Sequence, residues 1–170
     1  NIKLLKGQDA TNAKLRNYLE SWLPKNVKED SKVYFYFSGH GAPDTKTGGA
    51  YIVPWDGDPE FLETSAYPLE QVYASLGKLK AAKVVAMLDS CFSGAGGHSV
   101  LAKGARPLIH MKDASAIPAN ITVITAAKAG EITSGLDEQG HGIFTYYLLK
   151  GLNSGIRDTG KLCGYIAPKV

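Results

Sequence analysis

The sequence predicts an α/β fold with a mostly parallel central sheet and helices on both faces. Three stretches, "KVYFYF", "KVVAML" and "NITVITAA", are apolar at nearly every position and are typical of strands buried on both sides. Segments with apolar residues at helical spacing separate them along the chain. Strands and helices in this alternation form parallel sheets, which bind ligands beyond the carboxyl ends of their strands.

Each predicted element rests on a local signal. A helix over residues 11–23 has Thr11 or Asp9 as its cap and Pro24 as its end. A strand over 32–37 follows, because aromatic and β-branched residues dominate it. The remaining elements show the same two patterns and are the short extended piece "AYIVPW", a helix over 68–79, a strand over 83–88, a strand over 120–127 and a helix over 143–152.

Composition is that of an ordinary globular protein. The 170 residues are 44% hydrophobic and 21% charged, which suits one domain. The 19 Lys and Arg residues are scattered and the net charge is only +3, so we expect no nucleic-acid partner. No apolar run approaches the roughly 18–20 residues that span a bilayer, so we expect no membrane partner. The two cysteines predict reduced thiols rather than a disulfide framework; the compartment stays open, with the cytoplasm preferred.

Two predicted strand ends carry residues suited to nucleophilic catalysis. His40 stands between glycines just after the first strand, and Cys91 comes just after the second. A positioned imidazole takes the proton of a thiol and later protonates the leaving amine. The amides of Gly41 and Cys91 are candidate oxyanion donors. His141 has the same glycine neighbours but introduces a helix, so His40 is the preferred base. A core thiol and a solvated histidine are the alternative roles.

The motifs "YFYFSGHG" and "VVAMLDSCFSG" resemble the two catalytic blocks of the caspase-like cysteine peptidases, above all the bacterial caspase-domain and metacaspase-type members. The similarity continues through "ITVITAAKAGE" and "GHGIFTYYLLKGL" and spans most of residues 10–152. The resemblance implies a caspase-like α/β sandwich. It also implies that His40 is the general base and acid, that Cys91 is the nucleophile, and that Gly41 with Cys91 forms the oxyanion hole.

The resemblance further implies one domain over residues 1–170, built from two parts and a linker. A large-subunit-like part covers about 1–93, a mobile linker covers 94–119 and a small-subunit-like part covers 120–170. Family members begin with a strand before the first helix, and this sequence opens after that point. We therefore expect that strand to be missing, or to be supplied as a separate N-terminal fragment that completes the sheet.

The position of Asp89 indicates which substrate side chain the site would bind. It lies two residues before Cys91 on an extended chain, so both side chains project to the same side, with α-carbons roughly 6–7 Å apart. A carboxylate there pairs with Arg or Lys at the P1 position of a peptide, as the equivalent aspartate does in metacaspases by resemblance. Capping of local amides at the turn is the alternative role for Asp89.

Other residues complete the predicted substrate site. Caspases that cut after aspartate carry an arginine between the third strand and the last helix, but here the stretch "GEITSGLDEQG" in that region has no Lys or Arg and contains Glu131. An acidic P1 side chain would therefore meet repulsion, while a basic one has a partner. Three further candidate substrate-binding residues share a position at the predicted strand ends: Ser38, Thr125 and Ala126.

The linker contains basic residues, so an enzyme that cuts after Arg or Lys would cut its own chain there. We predict self-cleavage after Lys103 or Arg106. The acidic run over 47–77 is expected to be a solvated loop that attracts basic peptides. Calcium bound by "DGDPE" is the alternative, but Phe61 and Tyr67 break the EF-hand pattern. We predict no required metal or cofactor.

Together these observations predict a cysteine endopeptidase that cleaves polypeptides after Arg or Lys through a His40–Cys91 dyad and a thioester acyl-enzyme. Two alternatives stay open. One is a catalytically silent caspase-like adaptor, against which the presence of both dyad residues argues. The other is a thiol hydrolase that acts on a non-peptide acyl substrate.

Overall fold

The computed structural model describes residues 1–43, 49–90, 92, 117–126, 135–136 and 141–170. The described strands are, in chain order, β1 (Lys32–Ser38), β2 (Gly41–Pro43), β3 (Ala50–Ile52), β4 (Tyr67–Pro68), β5 (Lys83–Asp89), β6 (Ile121–Thr125), β7 (Gly135–Leu136) and β8 (His141–Gly142). The described α-helices are α1 (Asn12–Arg16), α2 (Leu23–Asn26), α3 (Leu62–Ser65), α4 (Leu69–Gly77), α5 (Ile143–Asn153) and α6 (Thr159–Ile166). Residues 94–116 of the predicted linker lie outside the described ranges.

The central sheet has the strand order β1-β5-β6, and both pairings are parallel. Two small antiparallel groups accompany it: β2-β3-β4 beside the end of β1, and the β7-β8 pair that leads into α5. This arrangement confirms the predicted α/β class with a parallel central sheet. Among the described helices, none is long and apolar enough to cross a bilayer.

Strand β5 is buried on both faces, which explains its nearly unbroken apolar sequence. On one face Val84, Ala86 and Leu88 join an apolar cluster that also contains the buried residues of α4. On the other face Val85 packs in a second cluster with Phe144 of α5. Helices therefore cover both sides of the sheet, as predicted. The predicted apolar face of α4 is also confirmed, and its buried members are Leu69, Val72, Tyr73 and Leu76.

The first helical segment is longer than predicted. Thr11 caps it, because its hydroxyl accepts a hydrogen bond from the Lys14 amide at 3.3 Å. The segment runs through α1, a π-helical stretch at Asn17–Trp22 and α2. The prediction that Pro24 ends the helix is wrong, since Pro24 stands in the first turn of α2. In a π-helix each amide donates a hydrogen bond to the carbonyl five residues before it. The carbonyls before Pro24 are therefore not spaced as in an α-helix, which a proline ring would disrupt.

The burial of Tyr73 leads us to predict a loss of stability at alkaline pH. Burial raises the pKa of Tyr73 to about 12, whereas an unfolded tyrosine titrates near ~10. The folded state therefore binds more protons than the unfolded state between these values. The contribution of Tyr73 to the free energy of unfolding is complete below about pH 10 and falls as the pH rises towards about 12.

The variant Tyr73→Phe keeps the ring in the core and removes this titration. Between about pH 9 and about pH 11.5, urea unfolding should show the variant losing about 2 kcal/mol less stability than the wild type. Tyr34→Phe, at an exposed tyrosine, is the matched control and should lose as much as the wild type. An equal loss in all three proteins would contradict the prediction.

Candidate active site

The carboxyl ends of the three central strands lie side by side at one edge of the sheet. Ser38, the last residue of β1, pairs with Asp89, the last residue of β5. The contact continues past the strands, since the Gly39 amide donates to the Asp89 carbonyl at 3.3 Å. On the other side of β5, the Ala126 amide donates to the Leu88 carbonyl at 2.9 Å. Neighbouring strands are roughly 4.8 Å apart, so the segments that leave these ends begin as close neighbours.

His40 is exposed at this edge, and the backbone around it is tied on both sides. Gly39 bonds to β5, and the His40 carbonyl accepts a hydrogen bond from the Val53 amide at 3.0 Å. The next residue, Gly41, is buried and pairs with Ile52 of β3. The histidine therefore stands on a backbone fixed by two sheets, with its side chain exposed.

Cys91 lies outside the described residues, as do Glu131, Lys103 and Arg106. Its neighbours in the chain, Ser90 and Phe92, are described and are 2% and 7% exposed. The structure thus brings the segment of His40 beside the strand that leads to Cys91, and the dyad itself stays a prediction. Ser90 was not predicted as a site residue, and its buried hydroxyl has no hydrogen-bond partner in the described part of the structure. Such a group destabilises a fold by about 1–3 kcal/mol.

Asp89 is 1% exposed and binds the start of α5. Its Oδ2 accepts hydrogen bonds from the Thr145 amide at 3.3 Å and from the Thr145 hydroxyl. Thr145 also contacts the Tyr36 hydroxyl, with 2.6 Å between the two oxygens. A carboxylate is favourable here because the first turn of a helix carries partial positive charge. The described partners of the Asp89 carboxylate therefore belong to a helix 56 residues away rather than to its own turn.

Thr145 and Tyr36 were not predicted as site residues. One signal was available, because Thr145 is a polar residue among the buried positions of α5, which otherwise are Phe144, Leu148 and Gly151. A buried hydroxyl at the first turn of a helix needs a partner. The identity of that partner had no local signal, since Asp89 and Tyr36 lie far away in the sequence.

Gly142 lies directly against the Asp89 carboxylate. A Cβ placed on Gly142 would be 2.6 Å from Asp89 Oδ2 and 2.9 Å from Oδ1, which is closer than real contacts allow. The φ angle of Gly142 is −60°, so backbone strain is not the reason for glycine here. At Gly142 the structural reason is the close approach of Asp89.

The other predicted substrate-binding residues divide into exposed and buried positions. Ser38 and Thr125 are exposed at the same edge of the sheet as His40. Ala126 is 3% exposed, and its side chain packs in the second apolar cluster with Phe144. The side chains of Ser38 and Thr125 are thus accessible at this edge, whereas that of Ala126 is not.

The acidic run over 47–77, predicted as a solvated loop, contains β3, α3, β4 and α4, and two of its carboxylates accept hydrogen bonds from backbone amides. Asp56 accepts from the Asn12 amide at 2.8 Å, and Asp58 accepts from the Glu60 amide at 2.9 Å. Over the described ranges, no three His, Cys, Asp or Glu side chains gather as a group able to hold a metal ion. The acids of this run are Asp56, Asp58, Glu60, Glu63 and Glu70. The calcium alternative stays untested.

A family model described as the caspase domain matches residues 2–163. A search of curated proteins found no match. The matched region includes the motifs "YFYFSGHG" and "VVAMLDSCFSG" and the whole of the central sheet.

Proposed function

The chain belongs to the caspase-domain family of peptidases, and from that premise we propose that it is an endopeptidase that cuts after Arg or Lys through a His40–Cys91 dyad. The match over residues 2–163 confirms the resemblance on which the sequence prediction rested, and it agrees with the α/β architecture. Family membership supports a cysteine-peptidase function in general, with a polypeptide as substrate. The dyad, the P1 preference and self-cleavage are the proposed parts.

One observation carries the dyad. Ser38 and Asp89 pair in register at the ends of adjacent parallel strands, and the dyad residues each follow two positions later in the chain. Any slip in the pairing would separate the two segments along the sheet. The register therefore supports a contact between the imidazole and the thiol beyond the strand ends.

The proposed chemistry uses these two groups in sequence. The His40 imidazole takes the thiol proton, and the Cys91 sulfur attacks the carbonyl carbon of the scissile bond. Amides of Gly41 and Cys91 stabilise the oxyanion. The imidazolium then gives its proton to the leaving amine as the carbon–nitrogen bond breaks, which leaves a thioester. Water, activated by the same imidazole, hydrolyses the thioester and frees the thiol.

Two features of Asp89 support basic specificity. Its carboxylate lies at the same sheet edge as His40, in a buried environment where a charge-assisted hydrogen bond is stronger than in water. Both hydrogen bonds that described residues donate to this carboxylate reach Oδ2. The proposed P1 cation therefore binds at Oδ1.

A panel of fluorogenic peptides that differ only at P1 tests the proposal. Arg and Lys substrates should be turned over, and Asp and Asn substrates should not. Turnover of Asp substrates alone would overturn the proposed role of Asp89. Faster turnover of small esters than of any peptide would favour the non-peptide hydrolase.

Self-cleavage is a further expected result. Purified wild-type protein should split after Lys103 or Arg106, and Cys91→Ala protein should stay intact, because both sites follow the proposed P1 rule. Intact-mass measurement over time identifies the cut. A matched control replaces both sites by glutamine, which should block the split without affecting peptide turnover at early times. Wild-type protein that remains one intact chain while it cuts an Arg peptide would contradict this prediction.

A further inference from the structure

Three polar side chains form a chain of hydrogen bonds from the outer strand to the proposed P1 site. The Tyr36 hydroxyl of β1 contacts the Thr145 hydroxyl of α5 at 2.6 Å, and the Thr145 hydroxyl donates to Asp89 Oδ2 of β5. Tyr36 is 44% exposed, whereas Thr145 and Asp89 are buried. The chain thus runs from the surface to a buried carboxylate and joins three elements that are separate in the sequence.

The directions of these hydrogen bonds follow from the groups involved. An ionised carboxylate only accepts, so the single proton of the Thr145 hydroxyl points to Asp89. That hydroxyl must then accept from Tyr36, whose proton points to Thr145. Tyr36 therefore sets the orientation of the Thr145 hydroxyl, which in turn holds one carboxylate oxygen.

Gly142 restricts the same carboxylate from another side. Its backbone approaches both carboxylate oxygens so closely that a methyl group would not fit. Two donors of Thr145 hold Oδ2, and Gly142 lies so close to the carboxylate that its own Cα hydrogens occupy the space beside both oxygens. Oδ1 is therefore kept in a single orientation.

We propose that Thr145, supported by Tyr36, is a positioning residue that orients the Asp89 carboxylate for a guanidinium or ammonium group. The inference rests on the proposed function, in which Asp89 binds the P1 side chain. The ligand class is an alkylguanidinium or a primary alkylammonium ion, as in the side chains of arginine and lysine. Without the Thr145 hydroxyl the carboxylate loses its fixed orientation, and the cation binds more weakly even though its charge partner is still present.

The test measures binding of agmatine, a small guanidinium probe, by calorimetry in a Cys91→Ala background. Thr145→Val keeps the shape of the side chain and removes the hydroxyl, and should weaken agmatine binding by about 10-fold. Thr145→Ser keeps the hydroxyl and should bind within about 2-fold of the parent. Tyr36→Phe, at a partly exposed position where misfolding is not expected, should weaken binding by about 3-fold.

Gly142→Ala gives an independent measurement, because it displaces the carboxylate and leaves every hydroxyl in place. It should weaken agmatine binding at least as much as Thr145→Val. In the active enzyme, Thr145→Val should raise KM for Arg peptides and leave kcat nearly unchanged. Unchanged agmatine binding in folded Thr145→Val protein would overturn the inference, as would equal losses in the Val and Ser variants.

The outcomes separate this inference from the proposed function. A wild type that does not cut basic peptides, in a protein whose agmatine binding depends on Thr145, overturns the function and keeps the inference. Cleavage after Arg with the same KM in wild type and Thr145→Val keeps the function and overturns the inference. A protein that neither binds agmatine nor cuts basic peptides overturns both.

Discussion

Replacement of Cys91 by alanine is expected to lower kcat/KM for a P1-Arg peptide by about 10⁴-fold or more. Without the sulfur no thioester forms, and only binding and the oxyanion donors remain. His40→Ala should cause a loss of similar size, because the thiol then has no base. The double variant should be no worse than either single variant, since the two residues act as one unit.

Two residues of the chain provide matched controls. Cys163 is an exposed cysteine on α6, and Cys163→Ala should keep full activity. His141 has the same glycine neighbours as His40, and His141→Ala should leave the turnover intact. An active Cys91→Ala variant would remove the proposed mechanism. An inactive His141→Ala variant beside an active His40→Ala variant would reassign the base.

The second large effect is expected at Asp89. Asp89→Asn removes the negative charge with little change of shape, so kcat/KM for Arg peptides should fall by about 100-fold. The same exchange replaces a charge-assisted hydrogen bond to Thr145 by a neutral one at the start of α5. The free energy of unfolding should therefore fall as well, by about 1–2 kcal/mol.

The P1 panel and urea unfolding measure these two effects separately. Asp30→Asn, at an exposed acidic residue, is the control and should change neither quantity. If Asp89→Asn loses stability but cuts Arg peptides as fast as the wild type, then the carboxylate only anchors α5. Basic specificity through Asp89 would then be wrong.

The parts of the fold that could be predicted are those with a local cause. Strands β1, β5 and β6 were predicted within one or two residues, because strands buried in a covered parallel sheet are apolar at consecutive positions. Helices α4 and α5 were predicted from apolar residues at helical spacing. The end of the first helical segment was predicted wrongly, because the effect of Pro24 depends on the π-helical turn before it.

Other elements depend on pairing rather than on their own sequence. Strands β2 and β4 have three and two residues, and each exists because it pairs with β3. Helix α6 was not predicted, although two signals were present. The Asp158 side chain caps it by accepting from the Lys161 amide at 2.9 Å, and Leu162 and Ile166 are its buried residues at helical spacing. Gly160 and Gly164 weaken the local preference for a helix.

The candidate site divides in the same way. The positions of His40 and Asp89 could be predicted from the ends of the strands, because parallel strands end at a common edge of the sheet. The contacts around Asp89 could not be predicted, since Thr145 is 56 residues from Asp89 and 109 from Tyr36, and the three meet only through the packing of α5 on the sheet. Local sequence thus indicates where the chemistry takes place, and tertiary packing determines how its charged group is held.

The most direct test of the central claim is the rate at which an arginyl chloromethylketone labels Cys91, compared between wild type and His40→Ala and located by peptide mapping. We predict that the wild-type thiol reacts much faster than a free thiol and that loss of the imidazole removes this advantage. A wild-type rate equal to that of a free thiol, or a fast rate unchanged by His40→Ala, would contradict the pairing of these two residues.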